Sequence, residues 1–430
     1  MNNLSTTGGW LSKRGLLGIW SQRYCKLIGT QLVISKSEKI NNAEQTIEIN
    51  PNAKIQIVSD QKKPRFFLED TNGETALLEA KTTQEMMQWV LLLRGATFWN
   101  PDLNMDYFEV ISVIGQGYYG KVRLVKSKAD GELFAIKSIR KSKLIEQKEI
   151  KTVLNERNIM IKADHPFIVQ LKFAFQSSSK FYLGLEYVPG GELFSHIKRD
   201  GFLHQEEYKL VLAQVALALN HLHSIGVIYR DMKPENIMIG QDGYIKLTDF
   251  GLAKDITVED TTSTFCGTPD YIAPEVVRGL NYDKTVDWWA LGILAFELMY
   301  HRTPFHSQNR DKTYRKIVND SPKFPDYATE VEKSFIMGLL NKDPKQRFGF
   351  KEVKEHPFFG NINFDDVLAK KIQPYYVPQI EDPTNVKYFD EEFTNETKAD
   401  SFVAPIIGDE AVVPGFSYVE CDSILAPSVM

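Results

Sequence analysis

The chain has 430 residues, of which 43% are hydrophobic and 25% are charged, and its formal net charge is −5. This length suits two or three domains, and the composition is that of a globular protein able to bury a sizeable core. No run of about 18 apolar residues is present, which argues against a transmembrane helix. Cys25, Cys266 and Cys421 lie far apart, so neither a disulfide framework nor a zinc site is indicated, and we expect a cytoplasmic protein.

The charge is unevenly distributed along the chain. Residues 1–100 hold 12 Lys and Arg against 9 Asp and Glu, whereas the remaining residues hold 39 against 47. A basic first module on an acidic chain favours an anionic partner for that module, although an ordinary mixed surface explains the charge equally well. We expect no nucleic-acid partner.

Residues 8–80 contain short segments of alternating polarity separated by turn residues. Such segments, with turns every 8–12 residues, predict a small antiparallel sandwich or barrel. A helix is predicted to follow, because apolar residues recur there at helical spacing. These residues are Met86, Trp89, Val90 and Leu93.

The sequences GWLSKRG at 9–15 and WSQRY at 20–24 resemble the first two strands of pleckstrin-homology domains. This resemblance implies a small antiparallel β-barrel with a C-terminal helix over residues 5–98. It also implies that Lys13, Arg14 and Arg23 bind the phosphates of phosphoinositide lipids. Ser21 stands where strong lipid binders often carry a basic residue, and many such domains contact proteins instead.

A short junction over residues 99–106 precedes a glycine-rich segment. Gly115, Gly117 and Gly120 form the pattern GxGxxGxV, whose glycines let backbone N–H groups approach phosphates closely. The sequence FAIK follows and supplies Lys137, which can neutralise phosphate charge. Glu156 lies 19 residues later in a predicted helix, where it is the expected partner of Lys137.

The stretch from Tyr229 to Gly251 reads YRDMKPENIMIGQDGYIKLTDFG. These residue types at this spacing match the phosphoryl-transfer template, in which one Asp meets the substrate hydroxyl while an Asn and a second Asp hold magnesium. In combination with the upstream glycines and lysine, the stretch resembles the active site of eukaryotic-type protein kinases.

The resemblance implies a bilobal α+β protein kinase fold over residues 108–359, with ATP and Mg²⁺ as cofactors. Asp231 would orient or deprotonate the hydroxyl, and Lys233 would stabilise charge on the transferred phosphoryl group. Asn236 and Asp249 would bind Mg²⁺, a hard ion that prefers oxygen ligands. The residues implied at the nucleotide site are Ile114, Gly115, Gly117, Gly120, Val122, Ala135, Lys137, Glu186, Val188 and Met238.

Thr264 lies in the string STFCGTPDYIAPE, where kinases of this type place an activating phosphate. A phosphate on Thr264 would order its loop by pairing with Arg230. His221 and His223 lie in a mostly apolar helix and are interpreted as structural residues rather than metal ligands.

Residues 360–430 carry 4 Lys and 13 Asp and Glu, and composition alone would indicate a disordered tail. However, FDEEFT at 389–394 and VPGFSY at 413–418 resemble the C-terminal tail motifs of AGC-family kinases. The first would place aromatic residues at the nucleotide site, and the second would dock on the small lobe with Ser417 as a phosphorylation site. Ser401 is a further candidate phosphorylation site, although Phe402 departs from the family's Thr-Pro, and Val413 replaces an aromatic residue.

Nearly the whole chain resembles the protein kinase B (Akt) group of the AGC family. The resemblance implies a Ser/Thr kinase that is recruited to the plasma membrane by phosphoinositides and is activated by upstream kinases. Glu192 and Glu235 lie where the group contacts substrate arginines, so we expect protein substrates with Arg upstream of the target hydroxyl. Arg315 stands where the related kinases carry an acid, which predicts a relaxed preference.

Two alternatives remain open from the sequence. The first domain of such a kinase could contact protein, or hold the enzyme inactive, rather than bind lipid. The chain could also be a scaffold that binds nucleotide without transferring phosphate, although its complete set of catalytic residues argues against this.

Overall fold

The structure is a computed structural model, and it describes most of the chain. The described residues are 7–15, 18–28, 30–38, 43–49, 53–58, 63–83, 85–86, 89–90, 93, 103–117, 120–147, 149–201, 204–257, 261–399, 403–406, 413 and 416–419. Ser401 and the first half of the junction, residues 99–102, therefore lie outside the described residues.

The N-terminal part is a seven-stranded antiparallel sheet. Its strands are β1 (Thr7–Arg14), β2 (Trp20–Ile28), β3 (Gln31–Ser35), β4 (Ala43–Glu48), β5 (Lys54–Ile57), β6 (Arg65–Glu69) and β7 (Thr75–Glu79). They follow the order β4-β3-β2-β1-β7-β6-β5, and one apolar face forms a separate core. The sheet is consistent with the predicted barrel-like domain.

The prediction of a helix after this sheet is confirmed for the described residues between 83 and 93. Met86, Trp89, Val90 and Leu93 are all buried in the core of the sheet. Strand β4 was not among the predicted segments, because its sequence AEQTIE carries few of the residues typical of strands. Pairing with β3 compensates for this weak local preference.

The kinase-like part begins with a small lobe. Its strands are β8 (Phe108–Gln116), β9 (Lys121–Ser127), β10 (Leu133–Arg140), β11 (Leu171–Gln176) and β12 (Lys180–Glu186), and its helices are α1 (Lys141–Glu146) and α2 (Ile150–Lys162). Strand β10 lies between β9 and β12, so its side chains lie in the middle of the sheet.

The large lobe is mainly helical. It contains α3 (Leu193–Asp200), α4 (Gln205–Ser224), β13 (Val227–Ile228), β14 (Ile237–Ile239), β15 (Ile245–Leu247), β16 (Lys254–Asp255), α5 (Pro274–Val277), α6 (Thr285–Tyr300), α7 (Arg310–Asn319), α8 (Glu330–Leu339), α9 (Phe350–Glu355) and α10 (Phe364–Leu368). Helix α6 is apolar on all sides, which is the pattern of a buried helix, and 14 of its 16 residues are buried.

A buried ion pair ties α5 to the rest of this lobe. Both guanidinium nitrogens of Arg347 donate to the Glu275 carboxylate, at 2.7 and 2.9 Å, and Arg347 also donates to the Thr285 carbonyl. Among the helices of the described residues, none combines the length and apolarity needed to cross a bilayer.

The tail contributes helix α11 (Glu391–Thr394) and strand β17 (Tyr418–Val419). Strand β17 pairs with β11, which gives the small-lobe sheet the order β17-β11-β12-β10-β9-β8. Tyr418 and Val419 are therefore part of the small lobe, and the described part of the segment is ordered by contacts that its composition does not reveal.

Candidate active site

Lys137 on β10 contacts two carboxylates at once. Its Nζ lies 2.8 Å from Oε1 of Glu156 on α2 and 2.9 Å from Oδ1 of Asp249. The pairing of Lys137 with Glu156, predicted from their spacing, is confirmed. Because Asp249 belongs to the large lobe, this lysine joins a strand, a helix and the opposite lobe at one point.

The charges in this cluster shift each other's pKa values. Burial disfavours the ammonium form of Lys137, but the charges of Asp249 and Glu156 outweigh burial and raise its pKa. The charge of Lys137 in turn lowers the pKa of Asp249 below its ordinary value, against the effect of burial. Asp249 is therefore an anion at neutral pH, and its side chain is 47% exposed.

The Asp231 carboxylate is held in a fixed orientation by three donors. Asn236 Nδ2 donates to Oδ2 at 2.8 Å, and Lys233 Nζ lies 3.1 Å from the same oxygen. Thr268 Oγ1 donates to Oδ1 at 2.9 Å. Thr268 was missed as a site residue, although the GTP string after Thr264 contains it. Asp231, Lys233 and Asn236, which the sequence predicted for this loop, therefore contact one another through the Asp231 carboxylate.

A backbone hydrogen bond brings the two clusters together. The Thr248 N–H donates to the Asn236 carbonyl at 2.9 Å, which holds the residue before Asp249 against the loop of Asp231. Asn236 Nδ2 also donates to the Asp231 carbonyl, so its amide oxygen is the atom left to bind a cation. One amide oxygen and one ionised carboxylate suit Mg²⁺, which takes few protein ligands and several phosphate or water oxygens.

The backbone before Asp231 adopts a conformation that costs energy. Arg230 has φ 68° and Asp249 has φ 54°, in the left-handed region that non-glycine residues rarely adopt. Fully buried Asp287 accepts from the N–H groups of Tyr229 and Arg230, at 2.9 and 2.8 Å, and bonds His223 Nε2 at 2.8 Å. Asp287 thereby stabilises the strained turn, and His223 has the structural role that was predicted.

The predicted nucleotide residues form one row across the small-lobe sheet. Gly115 lies opposite Val122, and Val122 lies opposite Lys137. Ile114 and Ala135 are each 8% exposed and belong to the apolar core beneath this row. The row therefore presents small and apolar residues beside one cation, as a base and its phosphates require.

The glycine-rich turn packs closely on the neighbouring strand. The N–H and carbonyl groups of Gly117 and Gly120 pair with each other, at 2.8 and 3.3 Å. A Cβ atom on Gly120 would lie 1.6 Å from the Ser138 carbonyl oxygen, so no larger residue fits there. The tip of the turn, Tyr118 and Tyr119, lies outside the described residues.

The segment after β12 connects the lobes. The Glu186 N–H already donates to the Gln170 carbonyl at 3.0 Å, so Glu186 can offer its carbonyl, but not its N–H, to a nucleotide base. Val188 is buried, and half-buried Met238 on β14 pairs with Glu192 on the other side. Val188 and Met238 thus supply apolar side chains on this side of the predicted nucleotide site.

Glu192 and Glu235 lie in an acidic region. Burial, followed by the charges of Glu235 and Asp390, raises the pKa of Glu192 to about 7. The pKa of Glu297 is also raised, by burial and by Glu235 and Asp270. Glu297 was missed from the sequence, although it is one of only two acids in the apolar helix α6, which is a usable signal because buried acids need a function or a partner.

Thr264 is exposed, and its carbonyl accepts from the Tyr282 hydroxyl at 2.6 Å. Arg230 Nη1 donates to the same hydroxyl at 3.1 Å. Thr264 Oγ1 also contacts Thr262, whose hydroxyl accepts from Lys254 Nζ. Tyr282 therefore links the Thr264 backbone to Arg230, and Thr262 links the Thr264 side chain to Lys254.

The tail motifs contact both ends of the small lobe. Phe416 is fully buried, with its ring 4.4 Å from that of Phe181 and the Arg157 guanidinium 5.5 Å above it. Val413 exchanges two hydrogen bonds with the Gln176 side chain, at 2.7 and 2.9 Å. Half-buried Ser417 follows Phe416, so docking of this motif beside α2 is present in the structure.

The first tail motif lies at the segment that connects the lobes, where Phe389 stacks on Tyr187 with ring centroids 6.0 Å apart. Lys121 on β9 forms an ion pair with Glu396. The tail therefore contacts the edge of the predicted nucleotide site as well as the sheet above it.

The cations predicted to bind lipid lie on β1 and β2. Arg23 Nε donates to Glu44 at 2.5 Å, and Lys13 Nζ lies 4.0 Å from the same carboxylate. Arg14 is exposed. The structure thus brings Lys13 and Arg23 together around an acid that the sequence did not predict there.

Comparisons with known proteins agree with this geometry. The family model described as "Protein kinase domain" matches residues 108–359. A RAC family serine/threonine-protein kinase homolog from Dictyostelium discoideum is 35% identical over 432 residues, covering 96% of each chain. Human serine/threonine-protein kinase Sgk2 is 42% identical over 339 residues, covering 76% of this chain and 92% of the relative.

A further relative, serine/threonine-protein kinase gad8 from Schizosaccharomyces pombe, is 42% identical over 319 residues. This alignment covers 73% of this chain and 56% of the relative. The match of the family model includes both carboxylate clusters described above. The chain therefore belongs to the protein kinase family, as a Ser/Thr kinase of the AGC group.

Proposed function

We propose that this kinase transfers the γ-phosphate of ATP to Ser and Thr hydroxyls of proteins that carry arginines upstream of the target residue. The observation that carries the proposal is the contact of Lys137 with both Glu156 and Asp249, next to an Asp231 carboxylate that is already oriented. A scaffold without catalysis would not require these buried charges to be kept at the cost of desolvation.

Each residue has a distinct task in this proposal. Asp231, fixed by Asn236 and Thr268, accepts the hydrogen bond of the substrate hydroxyl and directs its oxygen toward the phosphate. Lys233 lies beside this carboxylate and stabilises negative charge on the transferred group. Asn236 and Asp249 would hold Mg²⁺, which neutralises phosphate charge when it is bound.

The proposed preference for arginine is supported by the acidic region around Glu192 and Glu235. Carboxylates that raise each other's pKa gain when a guanidinium enters among them, because the cation removes their mutual repulsion. Glu297 adds a third acid to the pair that was predicted. Arg315 does not lie within this set of interactions, and the expectation of a relaxed preference stays a prediction.

We also propose that the N-terminal sheet is a pleckstrin-homology-like domain that brings a cytoplasmic kinase to membranes carrying phosphoinositides. The convergence of Lys13 and Arg23 supports this proposal, because two cations that meet at the Glu44 carboxylate are close enough to bind one phosphate together. The RAC family homolog matches 96% of this chain, so its alignment extends across this sheet as well as the kinase domain.

Activation is proposed to depend on phosphorylation by upstream kinases at Thr264 and Ser417. A phosphate on Thr264 would be close to Arg230 and Lys254, and pairing with them would order the loop that holds Thr268. Ser417 adjoins Phe416, which packs against Phe181 and beneath Arg157 of α2, the helix that also carries Glu156. Ser401 stays a predicted site.

Replacement of Asp249 by Ala tests the reaction. We expect kcat to fall by at least about a hundredfold, because the main carboxylate ligand of the metal is lost and Lys137 keeps only Glu156. Phosphate transfer to a peptide should be compared with that of Asp242→Ala, which removes an acid of similar exposure (46%) paired with Lys370. Undiminished transfer by Asp249→Ala would disprove the assignment.

The raised pKa of Glu192 predicts a pH-dependent preference for arginine. Below its pKa of about 7 the carboxyl is mostly neutral, and above that value it is charged and attracts a guanidinium. The ratio of kcat/KM for a peptide with upstream arginines to that for its alanine counterpart should therefore increase from about pH 6 to about pH 8. Because the same enzyme phosphorylates both peptides, titrations that affect both kcat/KM values equally cancel in the ratio.

The same ratio should be lower and should change less with pH in Glu192→Gln, which keeps the shape but not the charge of the side chain and leaves Glu235 and Glu297 in place. Equal turnover of the two peptides by the unmodified kinase would contradict the proposed specificity.

Thr264→Ala tests the activation step. We expect treatment with an upstream kinase to raise the activity of the unmodified chain, and the variant to stay lower by about tenfold or more, as the loss of one or two charge-assisted hydrogen bonds implies. Thr261→Ala, at an exposed position three residues earlier, is the matched control. A Thr264→Ala variant that is activated as strongly as its control would show that phosphorylation of Thr264 does not activate the kinase.

A further inference from the structure

The cations proposed to bind lipid phosphate are already paired with an acid of the same domain. Arg23 donates to Glu44 through both Nε, at 2.5 Å, and Nη2, at 3.4 Å, and Lys13 Nζ lies 4.0 Å from the same carboxylate. The hydrogen bond from Arg23 lowers the pKa of Glu44, with smaller contributions from the charges of Lys13 and Lys36. Glu44 is therefore a charged anion at neutral pH in the position where a phosphate would bind.

An irregularity of strand pairing puts Glu44 there. Ile34 on β3 lies opposite Gln45, and Ser35 lies opposite Ala43, so Glu44 is an extra residue of β4 without a partner in the ladder. This is a β-bulge, a feature that re-aims side chains.

The bulge changes the face to which Glu44 points. Arg23 shares a face of the sheet with Cys25, two residues along β2, and Cys25 lies opposite Ile34, which lies opposite Gln45. In a regular ladder Glu44, next to Gln45, would point to the other face and could not reach Arg23. The observed bond therefore depends on the bulge, which the sequence pattern does not reveal.

We propose that Glu44 is an internal counter-ion of the lipid site, which a phosphorylated headgroup must displace, and that this competition selects headgroups with several phosphates. This inference rests on the proposed binding of phosphoinositides. A carboxylate carries one negative charge, whereas each phosphomonoester carries between one and a half and two. A headgroup with several adjacent phosphates offers Lys13 and Arg23 much more charge than Glu44 does, and a single phosphate offers little more.

The experiment uses the full chain and vesicles of phosphatidylcholine that carry either a 3-phosphorylated phosphoinositide with several phosphates or a singly phosphorylated one. Vesicles with phosphatidylserine at equal total charge show the effect of charge alone, and a soluble inositol polyphosphate as competitor separates headgroup from membrane binding. Glu44→Gln is compared with Glu69→Gln, which removes an acid of the same exposure, 34%, paired with Lys54 near the opposite edge of the sheet.

We expect Glu44→Gln to bind both phosphoinositide vesicles about twofold to fivefold more tightly, as loss of a partly exposed ion pair implies. The relative gain should be larger for the singly phosphorylated lipid, and the soluble competitor should reverse it. Glu69→Gln should bind like the unmodified chain, and Arg23→Ala should cancel the gain when it is added to Glu44→Gln.

Equal binding of the unmodified chain and Glu44→Gln to phosphoinositide vesicles would overturn the inference and leave the proposed lipid binding intact. An equal gain on phosphatidylserine vesicles would overturn it too, because only net charge would then matter. Absence of binding by every variant would instead show that the proposed lipid function itself is wrong.

Discussion

The contact of Lys137 with Glu156 and Asp249 is the interaction on which the rest of the kinase depends. Glu156 is almost fully withdrawn from water and Lys137 largely so, and their pairing offsets the cost of desolvation, while Asp249 stays partly exposed. The lysine comes from a central strand, one carboxylate from α2 and the other from the large lobe. All three elements must therefore be in place before the cluster is complete, so the cluster forms only when the two lobes are correctly arranged.

Several other features support this cluster from a distance. Phe416 of the tail packs against Phe181 and beneath Arg157 of α2, the helix that also carries Glu156. In the large lobe, Asp287 holds the backbone at Arg230 in a left-handed conformation, which delivers Asp231 to the site. The tail and the buried helix α6 thus act on opposite sides of one site, and the proposed phosphorylation sites lie next to these supports.

Much of the site could be predicted from the sequence, because its residues occur in short local patterns. The glycine pattern, the lysine of β10 and the Asp231–Asn236 spacing each follow from one segment, and the pair of Glu156 with Lys137 follows from spacing and element type. Thr268, Glu297 and Glu44 were not predicted, because their importance arises from contacts between distant segments. Strand β4 and its bulge likewise depend on pairing with β3 rather than on local preference.

The charge of Glu156 keeps Lys137 positioned for phosphate while Asp249 stays available to the metal. The most direct test is phosphate transfer by Glu156→Gln, which preserves side-chain shape but leaves Lys137 with Asp249 as its only anionic partner. We predict that kcat/KM falls by about tenfold or more while the thermal unfolding temperature changes little. Phosphate transfer equal to that of the unmodified chain would show that the charge of Glu156 does not position Lys137.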